Sequence, residues 1–236
     1  MKVLIIIPAY NEEQNIESLI NCIQEKCPLY DYVIINDGST DGTKKICKAN
    51  SFKYIDLPIN SGIGVAVQTG YKYAYANDYD IAVQLDGDGQ HDPRYLEKLI
   101  EPVENGSCDV VIGSRFIEKK GFQSSASRRM GIQLLSGLIK LCTGVKIKDV
   151  TSGFRVANRK MIGVYAEDYS RDYPEPEAII TAVMHRARVM EVPVEMLERQ
   201  GGVSSINLKK SVYYMIKVTL AILVKRISYG IRRNKE

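Results

Sequence analysis

The chain lacks several features that would have fixed its class at once. Its five cysteines, Cys22, Cys27, Cys47, Cys108 and Cys142, are odd in number and show no CxxC spacing. That argues against a disulfide scaffold, a zinc site or a redox pair, and fits reduced thiols in a cytoplasm. There is no internal repeat, low-complexity segment or visible interdomain linker. The apolar run in "MKVLIIIPAYNEE" is short and meets Pro8 and acids, so it reads as a strand rather than a secretion signal. Basic residues interleaved with aromatics over a folded groove, the footprint of a nucleic-acid binder, are absent too.

What is present is an ordinary globular composition over 236 residues, with 45% hydrophobic and 25% charged residues. The net charge of +4 is unevenly placed. From Lys209 onward there are eight Lys or Arg and one Glu, a local +7 that leaves −3 for the preceding 208 residues. Any partner implied by positive charge therefore belongs to the tail. Within that tail the uncharged run from Val218 to Val224 is seven residues, against the roughly twenty needed to span a bilayer. Lys217, Lys225, Arg226, Arg232 and Arg233, with Tyr213, Tyr214 and Tyr229, suit a helix lying among lipid headgroups. A helix packed on its own domain or on a second subunit is the competing reading. Residues 1–206 are thus expected to form one catalytic domain and 207–236 a basic amphipathic helix, docked on a membrane surface directly or through a separate membrane protein.

Apolar β-branched runs recur at 3–7, 32–36, 53–57, 81–85, 109–113 and 189–194, with helix-like segments near 12–26, 41–50, 62–77 and 93–104. Continuous apolar strands alternating with amphipathic helices predict an α/β fold with a mostly parallel sheet covered on both faces. Ligands then bind at the carboxyl ends of the strands. The fourth such end reads "LDGDGQHDP". Asp86 and Asp88 flank Gly87, so on extended backbone both carboxylates point one way and can share a hard divalent cation, Mg²⁺ or Mn²⁺. A plain Asp-Gly turn leading into a helix is an even competitor when this stretch is taken alone. In "NDGSTDGT", a turn followed by a helix cap outweighs a base-binding Asp37 on spacing alone. The glycines at 62, 64 and 70 miss the dinucleotide fingerprint G-x-G-x-x-G, and Gly62 and Gly64 read instead as close backbone approach at a helix start. Arg115, Arg128, Arg129, Arg155 and Arg199 are candidate phosphate grips, although each alone reads as a surface charge.

Taken together, "IIIPAYNE", "NDGSTDGT", "LDGDGQHDP", "GSR", "DVTSGFR" and "EVPVEMLERQGGVSS" resemble glycosyltransferase family 2. The nearest branch is the dolichyl-phosphate mannose synthase-like, polyprenyl-phosphate glycosyltransferases. The resemblance covers about residues 1–206. It implies a GT-A fold and inverting transfer of a sugar from a nucleoside-diphosphate sugar, with a uridine diphosphate donor as the family-level expectation. By the family pattern Pro8, Ala9, Tyr10, Glu12, Gly62, Gly87 and Arg115 lie around the nucleotide sugar, and Asp37 lies on the base. Asp86, Asp88 and Gln90 hold the metal, with Asp88 and Glu177 as catalytic residues. Arg128, Arg129, Arg155, Arg199 and Ser204 face phosphates of donor or acceptor. The branch commonly ends its last motif in Ser-Lys, where this chain has Ser205. One expected cation is therefore missing, and a polyprenyl phosphate and the sugar hydroxyl of a glycan both stay open as acceptors. A phosphate acceptor is already anionic, whereas a hydroxyl needs a base, for which Glu177 is the candidate. A sugar nucleotidyltransferase is disfavoured because "PAYNEEQ" is not a glycine-rich loop with Arg and Lys. Intact Asp86 and Asp88 argue against a non-catalytic binding module, and a homo-oligomer is left open.

Overall fold

The computed structural model describes residues 1–121, 125–197 and 208–233. Its centre is β1 (Val3–Ala9), which is wholly buried. Leu4 and Ile6 point into one apolar core and Val3, Ile5 and Ile7 into the other, as the two-residue period of a strand requires. β1 pairs in parallel with β2 (Asp31–Asn36) and with β4 (Ile81–Gln84), and β2 pairs in parallel with β3 (Tyr54–Asp56). β5 (Val110–Ser114) and β7 (Val189–Pro193) run the same way beside each other. Between β4 and β5 lies β6 (Arg155–Asn158), antiparallel to both. The seven-stranded order is β3-β2-β1-β4-β6-β5-β7, so the mostly parallel α/β expectation holds with one reversed strand.

Helices cover both faces. On one side α1 (Ile16–Lys26), α2 (Thr43–Ala49) and α4 (Leu96–Glu104) seat Ile16, Leu19, Ile20, Ile23, Cys47, Leu96, Leu99 and Ile100 against the sheet. The i, i+3, i+4, i+7 spacing in α1 is the amphipathic stripe that makes this packing possible. On the other side lie α3 (Ile63–Ala76), α5 (Ala126–Thr143), α6 (Arg159–Glu167), α7 (Pro174–Met184) and α8 (Leu208–Arg233). Local chemistry sets several of their ends. Asn158 accepts the Met161 amide (3.0 Å) to start α6, Pro174 opens α7, and Gly144 in a left-handed conformation closes α5.

The tail helix is joined to the domain rather than standing apart from it. Val218 and Ile222 of α8 are buried in the core shared with α5 and α7. A Cβ on Gly131 of α5 would lie 3.2 Å from Met215 Sδ, so the small residue allows α8 to approach closely. Lys217 and Lys225, expected to face headgroups, turn back instead: Lys217 pairs with Asp172, and Lys225 with Asp168 at 3.1 Å. The opposite face keeps Ile216, Leu220, Val224 and Ile227 exposed at helical spacing. Among the described residues no helix is long and apolar enough to cross a membrane.

Candidate active site

The strand order reverses direction at β1 and β4, which opens a crevice at their carboxyl ends. Backbone bonds fasten the loops there to one another. The Gly87 amide donates to the Pro8 carbonyl (3.1 Å), and the Asp37 amide to the Ala9 carbonyl (2.9 Å). Pro8 and Ala9 are buried, while Tyr10 is 44% exposed at the rim. Glu12 is buried, its carboxylate accepting from Asn15 Nδ2 (2.8 Å) and its amide donating to Thr43 Oγ1 (2.9 Å).

Asp37 is buried and accepts the amides of Ser61 (2.7 Å) and Gly62 (2.9 Å), which tie β2's exit to the start of α3. A nucleobase would therefore share a carboxylate that already positions a helix. Gly64 explains the glycine spacing noted in the sequence. Its Cβ would fall 2.0 Å from the Ser170 carbonyl oxygen, so only glycine lets α3 approach residues 170–171.

Asp86 is held from three directions. Its amide donates to His91 Nδ1 (3.0 Å), and Gln84 Nε2 donates to its Oδ1 (3.2 Å). On the third side a Cβ on Gly153 would lie 2.6 Å from Oδ2. His91, buried and stacked on Phe154 with ring centres 4.9 Å apart, serves as a rigid acceptor beneath the loop. Asp88 is half-buried, and its Oδ1 accepts the Gln90 amide (3.0 Å). The two carboxylates suit a hard divalent cation, with His91 Nε2 3.8 Å from Asp86 Oδ2. Among the described residues no group of three or more His, Cys, Asp or Glu could hold a metal ion, so the rest of an octahedral shell would come from diphosphate and water. Gln90 Nε2 reaches the Leu197 carbonyl (3.4 Å), and its backbone carbonyl accepts the Leu197 amide (2.9 Å). It braces the 195–197 segment.

The arginines divide. Arg115 is 8% exposed and is spent on Asp149, its Nε and Nη2 each donating at 2.7 Å. Burial opposes its charge, and the hydrogen bonds and charge of Asp149 overcome that opposition. These bonds tie it into the scaffold, within the field of Asp86 and Glu175. Arg155 is 2% exposed, with Nε donating to the Ser152 carbonyl (2.7 Å) and Nη2 to that of Val150 (3.2 Å). It is buried, and among the described residues its Nη1 has no hydrogen-bond partner. Arg128 and Arg129 diverge at the start of α5. Desolvation and the Arg115 charge lower the pKa of Arg128, which also senses Glu175 and Asp149, whereas Arg129 lines a separate cavity. Arg199 and Ser204 lie outside the described residues.

Two acids, Glu175 and Glu177, flank Pro176 in the first turn of α7. Glu177 accepts from Ser170 Oγ (2.8 Å), on the side where α3 begins. Glu175 is the carboxyl that shares the field of Asp86, Arg155 and Arg115. Burial pushes it up to about 7, with Arg155 pulling it down and Asp86 adding to the rise. Sequence reasoning passed over His91, Asp149 and Gly153, although all three sit inside the quoted motifs. Glu175 had a weaker signal, being one of two acids around Pro176.

The sequence pattern of "Glycosyl transferase family 2" matches residues 4–165, more than half of the chain and the whole stretch from β1 into α6. The chain belongs to glycosyltransferase family 2. This family 2 glycosyltransferase is 35% identical over 216 residues to the UDP-N-acetylglucosamine–dolichyl-phosphate N-acetylglucosaminyltransferase of Methanococcus voltae, covering 83% of this chain and 85% of that protein. It is 28% identical to the polyprenol monophosphomannose synthase of Mycolicibacterium smegmatis, covering 87% and 81% respectively. In fold it matches glucosyl-3-phosphoglycerate synthase of Mycobacterium tuberculosis, solved with Mn²⁺, uridine diphosphate and glucosyl-3-phosphoglycerate. That match has a TM-score of 0.69 at 21% identity and covers 95% of this chain and 79% of that one. At that identity the likeness establishes the GT-A fold alone.

Proposed function

We propose that this family 2 glycosyltransferase moves a sugar, with inversion, from a nucleoside-diphosphate sugar to a polyprenyl phosphate at the cytoplasmic membrane face. A uridine diphosphate donor is the favoured choice. The observation that carries the donor half is the Asp86 carboxylate seated on Gly153, with Asp88 one residue beyond the intervening glycine. A Mg²⁺ or Mn²⁺ ion held by these two residues would act as a Lewis acid on the departing diphosphate. His91 and Gln84 keep Asp86 in place, and Asp37 holds the start of α3 against the crevice. Arg128 supplies positive charge at the acceptor side. The acceptor half is supported by relatives named for dolichyl, polyprenol and undecaprenyl phosphates. The outward apolar face of α8 supports a surface location, since such a face suits a helix lying in the headgroup region.

A second reading, transfer to a sugar hydroxyl of a glycan, is favoured by Glu175. A carboxyl pushed up to about 7 beside Asp86 is poised to take a hydroxyl proton near neutral pH, which a phosphate acceptor does not require. The deciding experiment incubates the full chain with Mn²⁺, a panel of uridine and guanosine diphosphate sugars, and either detergent-dispersed polyprenyl phosphate or free glycans. The expected outcome is sugar in the solvent-extractable lipid fraction, lost with Asp88→Ala. Transfer to glycans with none to the lipid would overturn the first reading in favour of the second.

A further inference from the structure

A cation that no motif singled out reaches the wall of the donor crevice. Arg171 is exposed, and among the described residues its side chain makes one hydrogen bond, from Nε to the Ser61 carbonyl (3.3 Å). That carbonyl belongs to the peptide unit whose Gly62 amide donates to Asp37 (2.9 Å). One peptide unit is thus held between the Asp37 carboxylate and the Arg171 guanidinium. The Nη1 and Nη2 donors of the planar fork remain for a ligand. Arg171 makes no ion pair among the described residues, and the adjacent Asp172 is taken by Lys217.

The backbone beneath this side chain is fixed on both sides. The Arg171 carbonyl accepts the Gly64 amide (3.1 Å), Ser170 Oγ donates to Glu177 (2.8 Å), and Asp172 is fastened to α8. A fork held by its backbone and by Nε loses less freedom when a ligand arrives than a loose surface arginine would. Its position narrows what it meets. Asp37 follows β2 and Asp86 follows β4, with β1 paired between those two strands. Two strand spacings, roughly 9–10 Å, therefore separate the Asp37 clamp from the diphosphate end of the crevice. A guanidinium bonded to Ser61 lies at the Asp37 end. What a nucleoside diphosphate places there is its base and ribose, whose oxygens are neutral acceptors, and not its phosphates.

We infer that Arg171 is a donor-binding residue that grips the nucleoside half of the nucleotide sugar, donating from Nη1 and Nη2 to oxygens of the base or ribose. The inference deepens the donor half of the proposed function and rests on it. The test titrates the full chain, with Mn²⁺ present, with uridine, uridine monophosphate and uridine diphosphate, or with the guanosine series if the wild type prefers it. The variants are Arg171→Gln and Arg171→Lys. The control, Lys72→Gln, removes equal charge from an exposed position on α3, nine residues beyond Ile63 and roughly 13 Å along the helix axis. Arg171→Gln should weaken all three ligands by the same factor, at least about tenfold, the worth of a hydrogen bond from a charged donor. Arg171→Lys should recover part of that loss, and the control should lose far less. In turnover, Arg171→Gln should raise KM for the nucleotide sugar at nearly unchanged kcat, as the loss of uniform binding requires.

The 2′-deoxynucleoside diphosphate divides the two sources of oxygen. A loss that persists with it identifies the base as the partner, and a loss that disappears identifies the ribose 2′-hydroxyl. Weakening confined to the diphosphate, with the nucleoside unaffected, would put the contact on phosphate and overturn the inference. Equal affinities in wild type and Arg171→Gln for all three ligands would overturn it as well, while leaving the donor reading intact. Failure of the wild-type chain to bind either uridine or guanosine diphosphate with Mn²⁺ would sink the donor reading, and the role of Arg171 with it.

Discussion

Arg115 is an arginine that the family pattern sends to the nucleotide sugar and the fold sends to Asp149. Asp149 is 0% exposed and Arg115 8%, with two charge-assisted bonds of 2.7 Å between them. Removing one partner strands the other charge in the interior, so Asp149→Ala or Arg115→Met should each cost about 3–5 kcal/mol. Removing both, as Arg115→Met/Asp149→Leu, strands no charge. It still orphans the Arg115 amide, which Asp149 also accepts at 3.1 Å, a loss of about 1–3 kcal/mol. The double variant should therefore unfold no more easily than either single one, with a coupling energy of at least about 2 kcal/mol. Urea titration followed by circular dichroism measures the three changes. Calorimetry with uridine diphosphate and Mn²⁺ on the double variant then separates scaffold from ligand contact. A folded double variant that has lost nucleotide affinity, or single effects that simply add, would refute the assignment of Arg115 to the scaffold.

Gly153→Ala puts a methyl group 2.6 Å from Asp86 Oδ2, and the cheapest relief is rotation of the carboxylate. The expected result is a nearly unchanged unfolding midpoint with metal-dependent nucleotide affinity reduced at least about tenfold, a loss of roughly 1.4 kcal/mol read by calorimetry. Glu175 should make stability fall with pH. Its folded value of about 7 lies above its ordinary 4.5, so the folded state keeps a proton that the unfolded chain releases, and stability is lost as pH rises through that window. With chelator present, Glu175→Gln should match wild type near pH 4 and exceed it at pH 8 by at most about 3 kcal/mol, as denaturation at the two pH values would show. Glu177→Gln should instead lose about 1 kcal/mol at neutral pH by weakening the Ser170 bond, and a similar pH dependence in that variant would undo the distinction between the two acids.

The parts of the fold that were legible are those whose pattern is purely apolar. β1, β2, β4, β5 and β7 announce themselves as β-branched runs, and α1 and α4 as stripes of three- and four-residue spacing. β6 did not, because its four residues begin with Arg155 and its reversal depends on pairing with β4 and β5 rather than on local propensity. α5 was missed because its stripe is divided among core, cavity, α8 and solvent, so no single face stands out. At the site, the loops that meet at the crevice could be read from their glycines and acids. Which of two nearby acids faces the crevice, or whether an arginine meets a ligand or an aspartate, is decided by burial and long-range partners. Asp149 lies 34 residues from Arg115, a separation no local motif encodes.

The inward ion pairs of α8 make the helix a strut as well as a surface. Lys225 and Lys217 fasten it to Asp168 and Asp172, at either end of the segment whose Ser170 and Arg171 carbonyls crowd Gly64. From Gly64 it is two residues back to Gly62, where Asp37 clamps the donor crevice. Deleting the helix to test anchoring would therefore also slacken the floor of the proposed donor crevice. Substitutions confined to Leu220, Val224 and Ile227 would leave that linkage whole, so they separate adhesion from catalysis where truncation merges the two.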